Sequence, residues 1–178
     1  IHQDKLNMML WAFGREVLLD TGGGPYEQSK WRTYGLSTYS HNTVLVDGLP
    51  QNRKRGFASE PLTDVTWVTS ENYDYAIGVY DELYGESASV THKRHVLFVK
   101  PDIFLVWDVL TSKDHASHNY QARWHVTTPN TAVDGSTVMT ADDGQPNLAI
   151  VPLLEGVDVE VVSAQEEPEL LGWWIRKR

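Results

Sequence analysis

Apolar and polar residues alternate with a period of two along most of this chain, the pattern of strands that bury one face. Glu16-Val17-Leu18-Leu19-Asp20 reads as a strand running into a turn at Gly22-Gly23-Gly24-Pro25. Thr43-Val44-Leu45-Val46 reads as another, closed by Asp47-Gly48. The pattern continues over Val65–Ser70, Tyr75–Tyr80 and Val90–Val99. Lys100-Pro101-Asp102 then separates Arg94–Val99 from Ile103–Val109, two apolar runs around a short turn, which predicts a hairpin. Further strands are predicted over Asn119–Val126, Thr137–Thr140, Leu148–Pro152 and Val157–Val162. Only Asp4–Phe13 could pass as a helix, and Trp11 and Phe13 alternate equally well on a strand. Glu166–Leu171, acidic with a proline, reads as a loop.

Short strands punctuated by Gly, Pro, Asn and Asp predict an all-β fold, an antiparallel β-sandwich forming one domain over residues 1–178. The chain opens on Ile1 and ends in Trp173-Trp174-Ile175-Arg176-Lys177-Arg178, in what reads as a strand, so the domain is expected to be truncated at both ends.

Composition narrows the partners. A formal net charge of −9 argues against nucleic acid, because phosphate binding needs a basic face. It also sits awkwardly with a polyanionic substrate, unless a local cluster such as Arg53, Lys54 and Arg55 reverses it. That cluster follows the Asp47-Gly48 turn, where it either meets a carboxylate or is a solvated turn. With 0 cysteines there are no disulfides and no thiolate zinc sites. No apolar run approaches the length of a membrane span.

Three features near the N-terminus carry candidate chemistry: His2-Gln3-Asp4, Asp20 before the glycines, and Ser40-His41-Asn42-Thr43 ahead of a strand. Two imidazoles and a carboxylate, His2, Asp20 and His41, make an N2O donor set suited to zinc, with a position left for water or a further ligand. Their spacing is not that of a local metal motif, so adjacent strands would have to bring them together. The plainer alternative leaves His2 in solvent, Asp20 capping a turn and His41 bonded to backbone. Asp4 either orients the His2 ring or is an exposed charge. Asn42 either reaches a substrate or caps backbone. His92, Lys93, Arg94 and His95 read as a strand start with the charges outside. His115 and His118 fall in a polar loop, and Trp124 reads as core.

The order of these residues resembles the heparinase II/III-like polysaccharide lyases. The similarity lies in His2-x-Asp4, then Gly14-Arg15-Glu16-Val17-Leu18-Leu19-Asp20-Thr21-Gly22, Tyr34, and Ser37 through Gly48. It continues in Arg94 through Asp108 and in Trp124-His125-Val126 before Pro129. The resemblance implies antiparallel sheets of supersandwich type that follow an N-terminal (α/α) toroid, with the active site in the cleft between them. It implies β-elimination on uronic-acid-containing glycans of the heparin, heparan sulfate or alginate type, and a structural zinc held by His2, Asp20 and His41. Asn42, Arg53 and Arg55 become candidate substrate contacts. No catalytic residue is expected in this chain: the family's catalytic His would fall immediately before Ile1, and its Tyr and Asn belong to the toroid. A polymeric substrate implies a periplasmic or secreted bacterial protein, with the toroid and an acidic polysaccharide as partners. The alternatives are a non-catalytic carbohydrate-binding or structural β-sandwich, and a glycoside hydrolase, for which no distinctive carboxylate pair stands out.

Overall fold

The chain is described here by a computed structural model covering residues 2–22, 24, 26–52, 54 and 63–175. Its strands are β1 (Leu10–Ala12), β2 (Arg15–Leu18), β3 (Val44–Val46), β4 (Thr63–Thr69), β5 (Tyr73–Tyr80), β6 (Val90–Val99), β7 (Ile103–Ser112), β8 (Tyr120–Ala122), β9 (Thr131–Asp134), β10 (Thr137–Thr140) and β11 (Ala149–Ile150). All pairings between them are antiparallel. One short helix, α1 (Lys30–Leu36), and a 3-10 turn at Thr38–Ser40 lie between β2 and β3.

The largest sheet runs β4-β5-β6-β7 in chain order. Its backbone is the long hairpin expected around Lys100-Pro101-Asp102, in which Val99 pairs with Ile103 and Val90 with Ser112. The inward side of β6 carries Val90, His92 and Arg94. Against this side packs a core of Val46, Tyr80, Tyr84, Ala88 and Val90, ringed by Leu6, Leu49 and Leu110. Since Val46 belongs to β3, which pairs with β8, the core joins two layers. The result is the all-β sandwich read from the sequence.

The Asp47-Gly48 signal forms a two-residue turn. Both residues have positive φ, 53° and 70°, and Val46 and Leu49 exchange backbone hydrogen bonds across it. Such turns match the right-handed twist of the strands they join.

Some elements differ from expectation. Residues 4–13 contain β1, not a helix; the chain turns at Phe13 and Gly14 and pairs back on β2. Helix α1 was not foreseen. Seven residues are too few to be helical alone, so it relies on the Ser29 cap, whose hydroxyl accepts from Arg32 N–H, and on burial of Tyr34 and Leu36. Strand β9 was not foreseen either. Asn119–Val126 changes partner midway: β8 pairs with β3, then His125 O accepts from Leu19 N–H and Val126 bridges Leu18. Val157–Val162 alternates but pairs with no strand among the described residues, and Val157 and Val161 are exposed. Trp173–Ile175 is not a strand.

The outward face of β7 presents Ile103, Leu105, Trp107 and Val109 to solvent. Trp107 stacks on His95 from β6, with ring centroids 4.6 Å apart and planes 8° from parallel.

Candidate metal centre

Three separate chain segments meet around His41. This residue ends the 3-10 turn, where its N–H donates to Thr38 O. Its side chain is 0% exposed. Asp20 stands just past β2, with Oδ2 lying 3.3 Å from His41 Nδ1. His2 sits in the N-terminal segment, its ring centroid 5.8 Å from that of His41. One donor atom each from His2, Asp4 and His41 lie within 4.8 Å of one another. The structure thus gathers His2 and His41 with Asp4 as the carboxylate of the group, while Asp20, which the sequence reading placed in the set, lies beside His41 and outside that group.

The electrostatics suit a cation. Burial pushes the Asp20 carboxyl up, but the nearby His41 ring, the Gly22 N–H and the charges of His41 and His2 outweigh it, and the net shift is downward. Burial pushes His2 down; Asp4 pulls it up by less, and His41 adds to the lowering. His2 is therefore held toward the neutral form that a metal requires. Both ring nitrogens of His41 are buried without a well-formed hydrogen bond: Nδ1 has only the long contact to Asp20 Oδ2, and Nε2 has none. A buried imidazole left unpartnered costs of the order of 1–3 kcal/mol per polar group. Coordination would satisfy one of these nitrogens. On donor chemistry and on this orphaned ring, the site fits zinc.

Asn42 holds the surroundings in place. It is 0% exposed. Its side-chain amide donates to Met8 O and Leu19 O, and its Oδ1 accepts from His125 N–H. Its backbone N–H donates to Asn7 Oδ1, and Asn7 Nδ2 in turn donates to Asp20 Oδ2 at 2.7 Å. Both amide hydrogens of Asn42 are thus committed inside the domain, and the backbone-capping alternative is the one its geometry follows. Asn7 went unnoticed in the sequence, because nothing local marks a residue whose partners lie 35 positions away. Arg53 and Arg55 lie outside the described residues; Lys54 between them is exposed.

The charges expected outside at the start of β6 are partly inside. His92 and Arg94 are buried, whereas Lys93 and His95 take the other face. Arg94 forms a two-pronged pair with Asp108, Nε to Oδ1 at 2.7 Å and Nη2 to Oδ2 at 2.9 Å. Its Nη1 donates to Leu6 O and to Asn42 O, and its guanidinium lies over Trp124, which is half-buried. His92 bridges Asp108 Oδ1 and the Tyr84 hydroxyl. The carboxylate of Asp108 on the facing strand is what lets these charges turn inward. His125 is half-buried, and desolvation of its ring drives it down to about 4; its ring lies against Asn42 Oδ1 and Tyr39 O. His118, in the polar loop, is clasped by Asp47 and Asp114, whose carboxylates raise its pKa.

The sequence matches the family model for the heparinase II/III-like C-terminal domain over residues 1–170. The chain belongs to this family. No curated protein matches the sequence. The heparinase II/III-like family is one of polysaccharide lyases, and the matched region is its C-terminal domain. Among the described residues no helix is long and apolar enough to cross a membrane.

Proposed function

We propose that this heparinase II/III-like domain lines the cleft of a lyase that cleaves uronic-acid-containing glycans by β-elimination, and that it holds a structural zinc through His2, Asp20 and His41. The observation that carries the reading is the convergence of the family-ordered block on His41, a fully buried ring whose nitrogens lack a well-formed hydrogen bond. In such a reaction a base takes the C5 proton and an acid protonates the leaving O4, while the uronate carboxylate is neutralised by nearby donors. On this reading the base and acid come from the helical toroid and its junction with this domain. The contribution of this chain is to wall the cleft and hold its neighbouring loops. Arg53 and Arg55 are proposed to meet the anionic substrate. Zinc, when bound, ties the N-terminal segment, the end of β2 and the turn before β3. A polymeric substrate of this kind places the protein in the periplasm or outside the cell.

The activity is tested by incubating the full-length protein with heparin, heparan sulfate and alginate and following absorbance of the unsaturated uronate product. New absorbance is expected on at least one, and none on any would sink the lyase reading. For the metal, the purified wild-type protein is expected to carry one zinc by elemental analysis and His41→Ala to carry almost none. Full zinc occupancy in His41→Ala would remove His41 from the site.

A further inference from the structure

We infer that Asp4 is a fourth protein donor, which closes the metal shell and leaves no coordination position for water or substrate. The inference rests on the zinc reading above and extends it to a residue that a His2, Asp20 and His41 set leaves out.

The backbone presents Asp4 for this role. The residues on either side of it are pinned. Gln3 N–H donates to Leu36 O, Gln3 O accepts from the Thr38 hydroxyl, and Gln3 Nε2 donates to Gln51 O. Lys5 N–H donates to Gln51 Oε1, while Lys5 O accepts from Gln51 Nε2 and the Thr43 hydroxyl. Gln3 and Lys5 are thus fixed on either side of Asp4, and His2 and Asp4 both reach His41 within the 4.8 Å set.

The Asp4 carboxylate also has little else to do. Its one ion-pair contact among the described residues is His2 Nδ1 at 3.9 Å, too long for a hydrogen bond. Asp20, by contrast, already accepts from Gly22 N–H and Asn7 Nδ2. The His41 ring points the same way: it is fully buried, its Nε2 has no partner, its Nδ1 has only Asp20 Oδ2 at 3.3 Å, and it shares a group with Asp4 and His2.

Charge and donor number agree. Structural zinc sites take four protein ligands, and catalytic ones keep an open position. A chain with 0 cysteines must build a closed site from nitrogen and oxygen. Two aspartates offset the two charges of the ion, so a partly buried N2O2 shell is neutral overall, which lowers the desolvation cost.

The test replaces zinc by cobalt(II) in the purified protein and uses azide as a small probe of open positions. The wild-type cobalt spectrum is expected to ignore azide. Asp4→Asn is expected to lose more than about 100-fold in zinc affinity, beyond the range of an outer-shell contact, and its cobalt spectrum is expected to shift on adding azide. The Asp4 side chain is 42% exposed, so the variant folds, and an unchanged metal-free melting curve verifies this. A wild-type spectrum that responds to azide, or an Asp4→Asn protein with wild-type spectrum and affinity, overturns the role of Asp4 while leaving the zinc site standing. Wild-type protein that binds neither zinc nor cobalt overturns the zinc reading itself, and the role of Asp4 with it.

Discussion

Asn42 is where a sequence motif and its structural use separate. Next to His41, an asparagine invites a substrate role; in the fold it joins Met8, Leu19, His125, Asn7 and Arg94 through its side chain and backbone. Removing the side chain in Asn42→Ala orphans the buried carbonyl of Leu19 and the partly buried Met8 carbonyl and His125 N–H, each worth about 1–3 kcal/mol. The expected loss is therefore roughly 3 kcal/mol or more, read as a lower urea midpoint with an unchanged slope. A residue serving substrate alone would instead raise KM and leave the urea midpoint where it was. The same contrast explains how much of the site could be read in advance. His2, Asp20 and His41 are legible because their residue types and order are distinctive. Asn7 and the inward aim of Asp4 are not, because they depend on Gln51, Thr38 and Asn42, which the fold alone brings near.

At the scale of elements, the β6–β7 hairpin shows what alternation reveals and what it hides. Its turn and its two strands were readable from the apolar runs around Lys100-Pro101-Asp102, although the second runs three residues past Val109, to Ser112. Which face points inward was not, because β7 offers Phe104, Val106 and Leu110 on one side and Leu105, Trp107 and Val109 on the other. The buried face is marked by pairing: Arg94 and His92 turn in because Asp108 stands opposite. Helix α1 was missed because its stability comes from docking, and Val157–Val162 was overread because alternation without a neighbour makes no sheet. The pair carries a prediction. Arg94→Met leaves Asp108 buried without its main partner and frees the carbonyls of Leu6 and Asn42, for an expected loss of about 3–5 kcal/mol. Adding Asp108→Leu should recover part of it, and a thermal or urea double-mutant cycle measures the coupling. Burial alone would push the Asp108 carboxyl up, but the hydrogen bonds and charges of Arg94 and His92 hold it well below its ordinary 3.8. A depressed folded pKa means the stabilisation is fully present above the unfolded value and fades as pH falls below it. Wild type should accordingly lose stability below about pH 4 more steeply than the Arg94→Met/Asp108→Leu protein.

Over the whole molecule, the sandwich and the proposed metal site are held by different forces, so removing the metal should loosen one without melting the other. The β4–β7 sheet is sustained by its own ladders and by the core of Val46, Tyr80, Tyr84 and Val90. The N-terminal segment is joined to the rest through Leu36, Thr38, Gln51 and Arg94, and through the cluster at His41. Zinc would add a link among residues 2, 20 and 41 at the point where that segment has no sheet to support it. Binding to the native state stabilises by mass action, about 2.7 kcal/mol when free metal is 100 times Kd. Locally opening amides feel that term only if their opening breaks the site. Chelation with EDTA should therefore speed hydrogen exchange at Gln3, Lys5, Asn7 and Asn42, whose N–H groups bond to Leu36, Gln51, Asp4 and Asn7. Amides of β6 and β7, ten residues each and paired along their full length, should keep their protection. If chelation instead accelerates exchange evenly through both hairpin strands, the metal is a condition for the global fold and not a local staple. If it changes nothing at residues 3 to 7, the N-terminal segment does not depend on a metal at all.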